Sequence, residues 1–389
     1  MAEIMATVPE HGVRIPRLAE INGLRGIAIL AVVWHHLSFV LVPVPPRVWG
    51  ISTEPVLWNG WMGVNLFFIL SGFVLYLPYA AGARSFIGRE EIVQFYRHRF
   101  LRLMPLYFLV VVATFALSGQ FVNANEQAIR EIVRCLTFTF PFFPDTYSPS
   151  SNWALWSVGT EVLFSLIFPL LVAIAERIGL TRLLGYAIVF SLCVRLLRRI
   201  YYPVFFGPDW VIDALLVGRL DEFVIGMWLA RTYVTGQWPP GRRVLPLVAV
   251  ALLVVASCGF SACFDKRIPV EWTTVLNNVL DIALALLVVT ALSVGSLFGR
   301  FLRSRVLQVL GMGCYSVYLW HLPVLRALQI DRGEAGVIRI ACFIGATVFL
   351  AAMTYRFVEF RGVNSWRQLF LAEPREDGGM RSIVKGAGG

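Results

Sequence analysis

The 389-residue chain is almost without lysine: Lys266 and Lys385 are the only two, and the net charge of +10 comes almost wholly from arginine. Charged residues of all kinds make up 15%, too few for the solvated surface of a soluble globular protein. With no basic face on a soluble domain, nucleic acid is excluded as a partner. The six cysteines, Cys135, Cys193, Cys258, Cys263, Cys314 and Cys342, are scattered without metal-ligand spacing, so no metal is expected. Packed thiols are expected instead, with a short-loop disulfide between Cys258 and Cys263 as the alternative if their loop is external. No small-residue cleavage site follows the first apolar run before Pro43, so that run reads as a retained helix. The lack of an internal repeat weakens, without excluding, a transporter built from two related halves. No soluble catalytic domain is visible either, which leaves any chemistry to the apolar segments.

Hydrocarbon is what the chain has in abundance. Hydrophobic residues make up 58% and the mean hydropathy is +0.70. The excess comes as long runs: Ile21 to Val42, Gly60 to Tyr79, Met104 to Leu117, Trp153 to Ala175, Val244 to Gly259 and Thr273 to Leu297. Each holds, or nearly holds, the roughly 20 mostly apolar residues that cross a bilayer core. Weaker runs near Leu183, Leu215, Val306 and Ile338 bring the expected number of spans to about ten. The expected fold class is all-α integral membrane, a polytopic bundle of about ten transmembrane helices.

Arginines set the expected orientation. The segment Arg84 to Arg102 and the connections holding Arg177/Arg182, Arg231/Arg242/Arg243 and Arg300/Arg303/Arg305 are basic. They alternate with sparse or balanced connections around Pro45, Asn123 and Lys266, which places both termini in the cytoplasm. Arg195, Arg198 and Arg199 disagree, falling outside on this count; either the span near Leu183 is misplaced or those side chains snorkel. The expected organisation is a cytoplasmic N-terminal segment (1–18), a membrane domain (19–362) and a cytoplasmic tail (363–389) with too little apolar content to pack. The longest external connection, Gln120 to Asn152, is placed to cover a site from outside.

Polar groups inside the spans are the candidate site, because ionisable residues there are costly and face a cavity or one another. The stretch GLRGIAILAVVWHH, Gly23 to His36, puts Arg25 and His36 about 16 Å apart along the axis and about 20° apart around it. They share a face without touching, whereas His35 points elsewhere and reads as a structural hydrogen-bonder. Depth counting predicts two layers. Arg25, Arg99, Arg102 and Glu359 fall at the inner edge. His36, His321 and Glu161 lie further out, with Asn65 and the pair Arg219/Glu222 nearer the outer surface. Bland readings stand beside these: Arg99 and Arg102 as membrane-edge anchors, Glu359 paired with Arg356 one turn away, and Arg219, Asp221 and Glu222 as a self-neutralising cluster.

Seven pieces of the chain, in order, resemble acyltransferase family 3, the integral-membrane acyltransferases that modify extracytoplasmic sugars and other acceptors. They are GLRGIAILAVVWHH, GVNLFFILSGFVL, FYRHRFLRLMPLY, WALWSVGTEVLFSLIFPLL, GRLDEFVIGM, YSVYLWHLPV and YRFVEF. The resemblance implies that Arg25 and His36 are essential, and that Arg99 and Arg102, as its Arg-x-x-Arg pair, handle the acyl donor. It also implies that Glu161, closing the motif on the fourth span, belongs to the site. Asn65, Arg219, Glu222, His321, Tyr355 and Glu359 form a supporting polar layer. Asn22 and Asn65 stand where many members carry aspartate, which removes possible carboxylate partners.

The implied reaction is transfer of an acyl group, most simply acetyl, from cytoplasmic acyl-CoA to a hydroxyl of an extracytoplasmic carbohydrate or glycolipid. Arg25, Arg99 and Arg102 would hold the phosphates of the co-substrate, guanidinium groups being multidentate and always charged. The pantetheine arm would carry the thioester to His36. His36 would take the acceptor's proton with Glu161 fixing its tautomer, or would itself become acylated. The implied location is the bacterial inner membrane, with the lipid bilayer as a further partner. The rival reading is a transporter or permease in which the histidines and Glu161 form a proton relay.

Overall fold

Hydrocarbon runs fold as helices because a backbone N–H or C=O facing lipid has no water to bond and must be satisfied within its own segment. The computed structural model describes residues 18–49, 51–117, 125–201, 210–237, 244–293, 295–330 and 336–359. In chain order it runs α1 (Ala19–Leu41), a two-stranded antiparallel hairpin β1 (Arg47–Val48) and β2 (Ile51–Ser52), α2 (Glu54–Leu57), α3 (Met62–Ala80), α4 (Arg89–Leu117) and α5 (Glu126–Leu136). It continues with α6 (Leu155–Ile178), α7 (Leu180–Tyr201), α8 (Trp210–Ala214), α9 (Leu216–Thr235) and α10 (Leu245–Phe264). The last elements are α11 (Trp272–Leu292), α12 (Leu297–Leu302), α13 (Arg305–Met312), α14 (Cys314–Ala327) and α15 (Val337–Thr354), which ends in a π-turn over Tyr355–Glu359. The hairpin pairs Arg47 with Ser52 and Val48 with Ile51. Most of the N-terminal segment (1–17), the tail with residues 360–362, Asn123, Arg242, Arg243 and the side chains of Arg198 and Arg199 lie outside the described residues.

Eight described helical segments are long and apolar enough to cross a membrane: α1, Glu54–Ala80, α4, α6, Leu180–Leu197, α10, α11 and Val337–Glu359. The chain is a multi-pass, all-α membrane protein. The two weaker runs expected near Leu215 and Val306 take other forms. The first becomes α9, whose interior carries Arg219, Asp221 and Glu222. The second is broken at Gly313 into α13 and α14. Large apolar side chains face outward, among them Leu247, Val250 and Val254 on α10 and Ile338, Val348 and Phe349 on α15. In a bilayer these meet lipid tails, so outward apolar surface carries no penalty.

Between helices in lipid, close packing replaces the hydrophobic effect as the driving force. The α3–α9 crossing shows it most clearly. A Cβ on Gly72 would lie 1.9 Å from the carbonyl oxygen of Phe223, and one on Gly226 would lie 1.9 Å from that of Ile69. Glycine at both positions lets the two backbones touch. That contact holds Asn65 of α3 beside Glu222 of α9. Phe68 and Phe164 pack on Phe223 from either side, with ring centroids 4.8 and 4.0 Å away.

The cysteines depart from expectation in part. All six are free thiols; Cys135, Cys263 and Cys314 are buried as expected, but Cys193, Cys258 and Cys342 are exposed on outward helix faces. Cys258 and Cys263 lie five residues apart in α10, about 7.5 Å along the axis, and cannot pair without unwinding it.

Gly226→Val places a branched side chain against the Ile69 carbonyl, and the helices must separate. The variant is expected to lose at least about 1–3 kcal/mol, read as a lower Tm of the detergent-solubilised protein. An unchanged Tm would contradict the close crossing.

Candidate active site

Five helices bring guanidinium groups and hydroxyls around one cavity of about 100 Å³, lined by Arg25 (α1), Ser71 (α3), Arg99 and Arg102 (α4), Ser157 and Glu161 (α6), and Tyr315 and Tyr318 of α14. Its size is below the several hundred Å³ of a pocket that swallows a drug-sized ligand. Arg99 forms an ion pair with Glu161 and donates through Nε to Ser165 Oγ at 3.0 Å. Ser71 Oγ donates to the same Glu161 oxygen at 2.6 Å. Arg102 lies 3.7 Å from Glu359, whose other oxygen accepts from Ser316 Oγ at 2.9 Å. Among the described residues Arg25 makes no hydrogen bond or ion pair. Three guanidiniums thus face two carboxylates, a surplus of one positive charge among these described groups.

Beyond the cavity, Tyr318 links the arginines to the histidines. Its hydroxyl lies 2.5 Å from Ser157 Oγ and donates to the Ala154 carbonyl at 3.1 Å. Its own carbonyl lies 2.6 Å from Nδ1 of His321, which is fully buried. A carbonyl only accepts, so His321 Nδ1 carries the proton and Nε2 is left with a lone pair. That Nε2 faces His36 Nδ1 at 3.4 Å, and His36 Nδ1 also lies 2.9 Å from the Val32 carbonyl. Both neighbours of His36 Nδ1 are acceptors, which assigns its proton there and leaves His36 Nε2 as a free base. His35 turns away to the Trp58 carbonyl, the structural role its helix position implies.

The turn that presents His321 is itself irregular. Pro323 has no N–H to bond the Leu319 carbonyl four residues back. Asn152, 1% exposed, supplies the missing donor through Nδ2 at 3.1 Å, while its Oδ1 accepts from the Ala154 N–H at 3.2 Å. The connection before α6 therefore does reach the site, through its last residue.

Most sequence-derived candidates converge, but not in the layers expected. His36 and His321 meet, as the depth estimate requires, and Glu359 joins Arg102 instead of being tied to Arg356. Glu161 does not stand by His36: it belongs with Arg99. The reason is the length of α4. The apolar run begins at Met104, but the helix begins at Arg89, so Arg99 sits about 15 Å up from the helix start and meets Glu161 there. The tautomer of His36 is fixed by the Val32 carbonyl, with His321 Nε2 as the second neighbour of the same nitrogen. Tyr355 is buried at the start of the π-turn and does not line the cavity.

Asn65 and Arg219 converge on Glu222, Asn65 Nδ2 donating at 3.0 Å and Arg219 at 2.6 Å. An amide at position 65 can donate to Glu222, where an aspartate would set one carboxylate against another. Arg195, expected in an external connection, is instead 1% exposed inside α7 and ion-paired with Asp221. Sequence reading missed Ser71, Ser157, Tyr315 and Tyr318. Ser157 and Tyr318 carry a signal, a hydroxyl about one turn from Glu161 and His321 in WSVGTE and YSVYLWH, whereas Ser71 and Tyr315 carry none.

A family model described as an acyltransferase domain, that of acyltransferase family 3, matches residues 18–356. The chain belongs to this family. Among curated proteins it is similar to O-acetyltransferase OatA of Staphylococcus aureus, 24% identical over 373 residues covering 88% of this chain and 56% of the relative. Acyltransferase MdmB of Streptomyces mycarofaciens is 28% identical over 349 residues, covering 84% of each chain. Peptidoglycan O-acetyltransferase OatA of Listeria monocytogenes is 25% identical over 376 residues, covering 87% of this chain and 54% of the relative. The chain spans a little over half the length of the OatA relatives. No solved structure matches. All of the residues named in the two polar layers except Glu359 fall within the acyltransferase family 3 match.

Asn152→Ala leaves the Leu319 carbonyl buried without a donor, at a cost of about 1–3 kcal/mol. The expected outcome is a lower Tm in detergent for the properly inserted variant. Wild-type stability would show that Asn152 does not hold the His321 turn.

Proposed function

We propose that the chain is a membrane O-acyltransferase that moves an acyl group, most simply acetyl, from acyl-CoA on the cytoplasmic side to a hydroxyl of an extracytoplasmic carbohydrate or glycolipid. On this reading ten passes, adding α9 and the α13–α14 pair to the eight apolar segments, put both termini on one side, the basic connections make that side the cytoplasm of a bacterial inner-membrane protein, and 19–362 is the membrane domain. The observation that carries the reading is a cation-rich cavity lined by Tyr318, whose backbone carbonyl in turn contacts the imidazole pair of His321 and His36.

In this mechanism Arg25, Arg99 and Arg102 hold phosphate groups of the donor, Arg25 with a guanidinium that no described protein group occupies. The cavity takes the pantetheine arm and excludes water from the thioester. His36 Nε2 accepts the proton of the acceptor hydroxyl as its oxygen forms a bond to the thioester carbon. The carbon–sulfur bond then breaks, and the imidazolium returns that proton to the departing thiolate. His321 acts on His36 as a positioning residue: its Nε2 accepts from His36 Nδ1–H and stabilises the imidazolium. Glu161 keeps Arg99 aimed at the cavity and takes no part in the proton transfer.

Membranes carrying the full chain, given radiolabelled acetyl-CoA and an acceptor glycan, test the reading. Wild type is expected to place label on the glycan, and His36→Ala to slow transfer by about 10²- to 10⁴-fold. His321→Ala is expected to lower kcat by about 100-fold, the order that misplacing a catalytic group costs, with KM for acetyl-CoA little changed. Arg25→Ala should raise that KM. Full activity in a correctly inserted His36→Ala variant would end the assignment, and substrate flux with no label transfer would return the chain to the permease reading.

A further inference from the structure

Away from the arginine-lined cavity, α7, α9 and α11 enclose a second set of charges. Arg195 on α7 pairs with Asp221 on α9, and Arg219 pairs with Glu222 one turn on. Asp281 on α11, 1% exposed, brings a third carboxylate. The charged groups that act most on Asp281 are Glu222, Asp221, Arg195 and Arg219. Three carboxylates against two guanidiniums leave one negative charge over, inside a membrane bundle where an unmatched charge is strongly unfavourable.

Two further observations concern ligands. Neither oxygen of Asp281 is reached by a donor, and Oε2 of Glu222 is equally bare. One oxygen from each of Asp221, Glu222 and Asp281 lies within 4.8 Å of the other two. That is the span of two oxygens on opposite sides of an ion held at about 2.4 Å from each.

We propose that Asp221, Glu222 and Asp281 bind one monovalent cation of sodium type between α9 and α11. Carboxylate oxygens select hard alkali or alkaline-earth ions. One positive charge brings the local sum to zero, whereas a divalent ion overshoots it. Asn277, 4% exposed, stands one turn before Asp281 on the same face of α11 with its Oδ1 unbonded. It offers a neutral oxygen one turn from Asp281. Binding ties α11 to α9 and, through Arg195, to α7. The inference does not rest on the acyl-transfer reading, and either can fail without the other.

The test uses the full chain in detergent with EDTA present, at fixed pH and ionic strength, in sodium chloride against choline chloride. Sodium is expected to raise the Tm saturably. Equilibrium dialysis with ²²Na⁺ should find one ion per chain, displaced by unlabelled sodium and not by choline. Asp281→Asn should remove both effects. Equal Tm in the two salts, absence of saturable ²²Na⁺ binding to wild type, or sodium binding that survives in Asp281→Asn overturns the proposal. Stability that follows pH and ignores sodium overturns it in favour of a proton, and a response to Ca²⁺ or Mg²⁺ alone, once EDTA is omitted, overturns the monovalent assignment. If Asp281→Asn does not fold, the wild-type dialysis decides alone.

Discussion

A charge inside hydrocarbon must be matched by another side chain, because no water is there to solvate it. This requirement selects the helix neighbours of the bundle. Arg99 with Glu161 joins α4 to α6, Arg102 near Glu359 joins α4 to the π-turn after α15, and Arg195 with Asp221 joins α7 to α9. Buried ion pairs add little net stability over apolar residues of the same shape, yet removing one partner costs about 3–5 kcal/mol. They therefore act less as glue than as a registry: a helix rotated or shifted by one turn would strand a charge. Close contact at Gly72 and Gly226 fixes the distance between α3 and α9, and the charges fix their rotation.

The matching is incomplete in two places, and with opposite sign. Around the cavity three guanidiniums face two carboxylates. In the α7–α9–α11 interior two guanidiniums face three carboxylates. A surplus positive charge invites an anion such as a phosphate, and a surplus negative charge invites a cation or a proton. Asn65 sits at the edge of the second set as a donor to Glu222, so an amide there keeps the surplus at one charge.

Function in this reading also depends on places where regular helix is broken. Gly313 separates α13 from α14 and lets Tyr315 reach the Leu103 carbonyl at 2.9 Å. The π-turn at Tyr355–Glu359 brings Glu359 to Ser316, and such turns are frequent at functional sites. Pro323 frees the carbonyl that Asn152 claims, next to His321. At Pro323 the irregularity leaves a backbone carbonyl whose partner comes from another segment, and at Gly313 and the π-turn side chains make the contact across segments. The site is thereby locked to the bundle and not to one helix.

Composition and periodicity were sufficient for the all-α membrane class, for the main spans and for the alignment of Arg25 with His36, because these depend on helix geometry within a single segment. The motifs in order were sufficient for family membership. The meeting of His36 with His321, 285 residues apart, was legible only as a shared depth. Tertiary structure alone decided that Glu161 serves Arg99, since the start of α4 lies fifteen residues before its apolar run and no hydropathy signal marks it. Asp281, a lone acid in an apolar run, and Arg195, assigned to a loop by charge counting, acquire meaning only from the helices beside them. A single segment states what it must bury, and which partner meets that need is a property of the packing between segments.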